Sequence, residues 1–499
     1  MCQENPRNTG GFFCHHLAFK FVLSQVLFAA VAAYLILLPT VGIKPDLLWH
    51  DDQRLAQIAL LVLVAANVAL GFTPARRFMV VPGWAFISTR TQFVLLAAFV
   101  LGAVSSALAP VPRWAAIEWS MMVLLMALGV SVAALRRQWG DKFDRLLLGV
   151  LLFTATAFVL KVFAAYTAVL VERLPIHIWW LLDGFSNPRF FGHFQTMTLP
   201  LLVLPAMFWA KTPLSRISLA LLPALWWMLS IASGTRGTWL AMMAACAVVL
   251  VCVRHKGYHW LKWQLGTFLA GLAAYGLFFF VVPGLFSVQA DTVNRLPDIA
   301  NLAFRDVLWK SAFEHVVAHP ILGIGPMHFA YYPNPVAAHP HMSLLQWAAE
   351  WGLPSALLVL GVVLHAGMSY VRQLRATAPE DGTGAYTLRL GLLASLCAAA
   401  AQSLVDGVIV MPYSQTLLAV ICGWALAIHQ CSSLSRNRID WAAERIGMAI
   451  ILLSIALLLG GVFPEIRAIA SKEGAFNASV IQEQVLLRPR FWSSGWIYE

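Results

Sequence analysis

Uninterrupted apolar runs separated by short polar segments govern what this chain can fold into. A helix of about 20 residues is what crosses a hydrocarbon core of about 30 Å, and a segment in lipid must satisfy its backbone hydrogen bonds within itself. Such runs fall near residues 17–38, 55–72, 91–110, 114–135, 146–170, 192–209, 217–232, 237–253, 264–285, 353–371, 387–405, 413–430 and 446–463. The pattern predicts an all-α, polytopic membrane protein with about 12–13 transmembrane helices. Composition agrees, since the 499 residues are 60% hydrophobic and 11% charged, against roughly 45–50% and 25% in soluble domains. The runs divide the chain into an N-terminal bundle over 1–285, a large loop over 286–352, C-terminal helices over 353–463 and a tail over 464–499. No cleavage site of small residues precedes the first run, so it is expected to stay as a helix. Cys2 has no apolar stretch before it and is not expected to carry a lipid.

The net charge of +11 is scattered between the runs rather than gathered in one stripe. That speaks for the positive-inside rule and against nucleic acid as a partner. Alternate loops hold Arg76, Arg77 and Arg90; Arg136, Arg137, Lys142 and Arg145; Lys211 and Arg216; Arg254, Lys256 and Lys262; Arg372 and Arg375; and Arg436, Arg438 and Arg445. These are assigned to the cytoplasm. The intervening segments, 44–54, 171–189, 233–236, 286–352 and 406–413, then face outward, with the tail beside them because the number of runs is odd. Cys14, Cys246, Cys252, Cys397, Cys422 and Cys431 fall in the runs or on the inner side, so no disulfide is expected.

Three polar features share the outward side. In NPRFFGHFQTMTLPLL (187–202), Arg189, His193 and Gln195 enter a span together. In SGTRGTWLA (233–241), Gly234 and Gly237 flank Arg236 and would let the backbone approach a ligand. A planar guanidinium suits bidentate contact with phosphate, so Arg189 and Arg236 together can clamp a pyrophosphate without a metal. The competing reading is that such arginines snorkel to lipid headgroups. The third feature lies in the long outer loop, where Phe304, Leu308 and Phe313 predict a surface helix carrying Arg305 and Lys310. Gly323, Gly325 and Pro326 then break the chain, and AHPHMSLLQWAAEWG (338–352) follows, with His339 and His341 ahead of Leu344, Leu345, Trp347, Ala348 and Glu350. The His pair has neither a nearby cysteine nor HExxH spacing, so a metal site is not expected. A histidine beside an outward cavity lined by arginines is suited to taking a proton near neutral pH.

At these residues the sequence resembles the O-antigen ligase and polymerase superfamily, which includes the bacterial O-oligosaccharyltransferases. The matching stretches are PRFFGHFQ, SGTRG, RDVLW followed by HPILGIGP, and HPHMSLLQWAAEWGLPS, and the likeness covers roughly residues 185–430. Members typically carry Asn after the motif histidine, where this chain has Met342. The resemblance implies a glycosyltransferase of the bacterial inner membrane that needs no metal or cofactor. It would take a glycan from undecaprenyl diphosphate at the periplasmic face and invert the anomeric carbon. It also implies His341 as catalytic base, Arg189, Arg236 and Arg305 on the diphosphate, and His339, Glu350 and Gln195 in support.

The acceptor separates the members. A ligase uses the lipid A–core saccharide, which is the leading reading here. An O-oligosaccharyltransferase uses Ser or Thr of a pilin or other periplasmic protein, and a polymerase uses another lipid-linked repeat. A transporter or flippase is the reading from a different class, and carboxylates at mid-span would favour it. The span interiors contain almost none, since Asp183, Glu350 and Asp406 lie at loop edges.

Overall fold

The computed structural model describes residues 10–44, 47–71, 87–291, 304–332, 334–377, 384–429, 441–483 and 489–497. Arg76, Arg77, Arg436, Arg438, Cys2, Cys431 and residues 292–303 of the large loop lie outside them. The long helices are α1 (Gly10–Thr40), α2 (Trp49–Gly71), α3 (Thr89–Leu108), α4 (Pro112–Trp139), α5 (Asp141–Val171), α6 (Pro188–Leu202), α7 (Pro213–Ala232), α8 (Arg236–Val248) and α9 (Tyr258–Gly276). In the large loop lie α10 (Arg305–Ala318) and α11 (Ser343–Trp351), followed by α12 (Leu353–Ala376), α13 (Ala385–Ser403), α14 (Pro412–His429) and α15 (Trp441–Glu483). The chain is an all-α polytopic membrane protein. Its described strands are two residues each, Ile176–His177 paired in parallel with Ala290–Asp291.

Ten helical stretches among the described residues are long and apolar enough to cross a membrane. One of them, Arg236–Leu285, runs for 50 residues, which would span about 75 Å if straight at 1.5 Å per residue. It is broken at Arg254–Gly257, where a single 3₁₀ turn begins with Arg254 at φ 61°. Two of the expected spans therefore share that stretch. α13 and α14 fall outside the ten because Arg389, Gln402 and Gln415 lower their hydropathy, yet both are largely buried among the other helices.

α6 is the axis of the bundle, with 89% of its span buried. Its polar residues survive there because neighbouring helices bond to them. Gln195 donates to the Trp226 carbonyl at 2.7 Å, Trp226 donates to Thr198 at 3.0 Å, and Ser395 donates to the Met197 carbonyl at 2.6 Å. Trp260 and Gln264 of α9 reach the Pro200 and Leu199 carbonyls. α4 and α14 cross at Gly129 and Gly423, where a Cβ on Gly423 would run into the Gly129 carbonyl. Small residues at such a crossing let helix backbones approach in lipid.

The two ends of the bundle differ. At one, Arg136 pairs with Asp144 at 2.8 Å, and Lys256 donates to the Arg375 and Thr377 carbonyls. The other end carries the loop that holds His341. In α10, Leu308 and Ala312 form the buried stripe, whereas Phe304 and Phe313 are 69% and 60% exposed, so the aromatic side of the expected helix faces outward. Gly323 and Gly325 have φ of 70° and 104° and lay the turn on the end of α11, with Ile324 donating to the Ala349 carbonyl and Gly325 to that of Glu350. Cys246, Cys252, Cys397 and Cys422 are free thiols.

Candidate active site

Three of the arginines singled out by the sequence sit in the first turn of a helix. Arg189 is the second residue of α6, Arg236 opens α8 and Arg305 opens α10. The starts of α6 and α8 are held together at Gly192, whose carbonyl accepts from Thr238 at 3.1 Å and where a Cβ would lie 2.9 Å from that hydroxyl. Asn187 caps α6 by accepting from the Arg189 amide at 2.9 Å. Burial lowers the pKa of Arg305, Asp406 opposes that, and the nearby charges of Arg189 and Arg236 add to it. The charges of Arg189 and Arg236 thus bear on Arg305, and such a gathering of positive charge favours an anion.

His341 stands beside this cluster. Its backbone takes φ 55° in the turn before α11, a left-handed conformation that costs a residue with a Cβ about 1–2 kcal/mol. Its Nδ1 faces Asp406 at 3.5 Å, while the other Asp406 oxygen faces Nε2 of His193 at 3.5 Å. Burial, together with the charges of Arg189 and Arg305, pushes His341 below its ordinary value despite the Asp406 carboxylate. Burial alone would raise Asp406, but the two facing histidines outweigh it and hold the carboxyl well below the usual range. The pair is therefore a neutral imidazole backed by a carboxylate at neutral pH. With Nδ1 turned to Asp406, Nε2 is left to receive a proton.

The remaining candidates have different surroundings. His339 packs its ring on His341 at 4.1 Å between centroids, is 2% exposed, and has no hydrogen-bond partner for either ring nitrogen among the described residues. Burial first, then His341 and Arg490, push it well below its ordinary value, so it stays neutral. Gly407 makes room for it, because a Cβ there would collide with its Nε2. Gln195 donates its Nε2 into the α6–α7 contact described above. Gly234 takes φ 60°, but a Cβ on Gly237 would meet the Gln402 amide at 3.5 Å, so that glycine packs on α13 rather than opening to a ligand.

Glu350 is fully buried on α11. Its carboxylate accepts from the Phe329 amide at 3.1 Å and from Gln346 at 3.3 Å, and it pairs with Arg490 at 2.6 Å. Burial and the facing Glu118 push its pKa up against the pull of Arg490.

Met342 is the N-cap residue of α11 and supplies no side-chain bond to that helix. An Asn at this position would cap it, which gives the expected amide a local structural task next to the histidine.

In the sequence, Asp406 stands out only as a loop-edge carboxylate. The signal available was its place in DGVIVMPY on the outward side, and nothing in its spacing ties it to His341. Among the described residues, no group of three His, Cys, Asp or Glu is placed to hold a metal ion.

No curated protein matches the chain. Residues 219–360, which include Arg236, Arg305, His339, His341 and Glu350, match the family model described as O-antigen ligase. Over that stretch, which is less than half of the chain, the sequence is similar to the O-antigen ligase family, and that likeness implies a glycosyl-transferring enzyme of the same type.

Proposed function

We propose that the protein transfers a glycan from undecaprenyl diphosphate to an acceptor hydroxyl at the periplasmic face of the bacterial inner membrane, with lipid A–core saccharide as the acceptor. The observation that carries this reading is the His341–Asp406 pair in the field of Arg189 and Arg305, with Arg236 also acting on Arg305. In the reaction, the acceptor oxygen attacks the anomeric carbon while His341 Nε2 takes its proton, and the bond to the diphosphate oxygen breaks with inversion. Arg189, Arg236 and Arg305 stabilise the charge that develops on the leaving diphosphate. Asp406 holds the imidazole in the tautomer that accepts at Nε2 and stabilises the imidazolium that forms.

The test uses purified protein and lipid-linked glycan, incubated separately with core–lipid A and with pilin. Glycan on core–lipid A, lost in His341→Ala, is the expected result. Glycan on pilin alone would move the protein to the O-oligosaccharyltransferases. Elongated lipid-linked glycan without either acceptor would make it a polymerase, and no transfer in any arm by intact protein would overturn the reading.

A further inference from the structure

Segment 489–497 enters the bundle beside the candidate active site. Arg490, Phe491, Trp492 and Ser493 are all buried there, as is Ile497. The first turns of α2 form a socket for it. Arg54 donates to the Phe491 and Arg490 carbonyls at 3.1 and 3.2 Å, His50 Nε2 lies 3.1 Å from the Phe491 carbonyl, and the Asp51 carboxylate accepts from the Ser493 amide at 2.7 Å. The Arg54 guanidinium also lies over the Phe491 ring at 5.0 Å. Of the polar string HDDQR in α2, His50, Asp51 and Arg54 are thus directed at this segment, and the proposed reaction uses none of them.

On its other side the segment grips the loop that carries His341. Nη2 of Arg490 lies between two carboxylates, 2.8 and 2.9 Å from the oxygens of Glu118 on α4 and 2.9 and 2.6 Å from those of Glu350 on α11. Ile497 adds a bond from its amide to the Ala330 carbonyl at 3.1 Å. α4 belongs to the bundle, whereas α11 follows directly after His341. Without the guanidinium, Glu118 and Glu350 would face each other as two buried carboxylates, and the start of the catalytic loop would be pushed from the bundle.

We propose that segment 489–497 is a strap that fixes the His341 loop to the helical bundle, with Arg490 as a positioning residue acting through Glu350 and α11. The catalytic consequence rests on the function proposed above, whereas the mechanical one does not. Full-length Arg490→Lys and Arg490→Met variants test both. Lys keeps a charge, but its side chain is one bond shorter and does not place a nitrogen where Nη2 of Arg490 sits between the two carboxylates. In hydrogen exchange, peptides covering 341–352 should exchange faster in both variants while those from α6 and α9 keep their protection. In transfer assays kcat should fall by about 100-fold for Met, the scale expected when a catalytic group is misplaced by about 1 Å. It should fall less for Lys, with the donor KM unchanged.

Unchanged exchange at 341–352 in the Lys variant, or exchange raised equally throughout the bundle, would overturn the strap. Faster exchange with unchanged kcat would overturn the positioning role. If the full-length parent transfers no glycan, the proposed function fails, and the exchange result still decides the strap.

Discussion

The Nδ1 atom of His341 lies 3.5 Å from Asp406, although the two residues are 65 positions apart and occupy different loops (406 − 341 = 65). Asp406→Asn keeps the shape and removes the charge that orients and stabilises the imidazole. We expect kcat to fall by about 100-fold or more, within the range attributed to general base catalysis. The acid limb of the rate profile should also move to lower pH, because the carboxylate that raises the His341 pKa is gone. A parent profile falling only below pH 6.5 agrees with a base whose pKa is lowered, since the neutral form is lost as pH drops through it. An Asn variant with the parent's rate would remove Asp406 from the mechanism.

The arginines differ from the histidine in what they should cost. Arg236→Ala is expected to lower kcat by about 100-fold, comparable to losing one preorganised donor from a charge-stabilising site. Arg236→Lys should recover only part of this, because the ammonium keeps the charge and loses the fork. Steady-state kinetics with lipid-linked donor check the order of the three proteins. An Ala variant as fast as the parent would leave the diphosphate without this contact.

The helical scaffold was legible because apolar length is a local signal. Even α13 and α14, which carry Arg389, Gln402 and Gln415, stand out as runs. His341, Arg189, Arg236 and Arg305 were legible because each sits in a stretch whose glycines, prolines or histidines interrupt the apolar pattern. Asp406 and Arg490 were not, because what gives them meaning is a partner 65 or 140 residues away. Gln195 shows why polar residues in a span are ambiguous from sequence, since its side chain bonds to the neighbouring helix. The left-handed backbone at His341 also leaves no trace in composition.

Met342 yields a stability prediction. Met342→Asn introduces a side-chain acceptor for the amides at the start of α11, and such caps contribute typically about 1 kcal/mol. The variant should melt at a higher temperature and protect the amides of residues 344 and 345 from hydrogen exchange, with little change in transfer rate. A large change in rate without added protection would mean that an amide here acts on His341 rather than on the helix.

The buried state of His339 predicts how stability depends on pH. Its folded pKa lies well below the ordinary 6.5 because burial, His341 and Arg490 all disfavour its charged form. The unfolded chain then binds a proton that the folded protein does not, so this contribution is complete above pH 6.5 and is lost as pH falls below it. For one proton the slope is about 1.4 kcal/mol per pH unit until the folded pKa is reached. His339→Phe removes the titrating group while keeping an apolar ring near His341. Its stability relative to the parent should rise steadily between pH 6.5 and 5, measured by thermal unfolding in one detergent at constant ionic strength. Parallel curves for the two proteins would show that His339 is not held neutral in the folded state, because a constant offset reports packing alone.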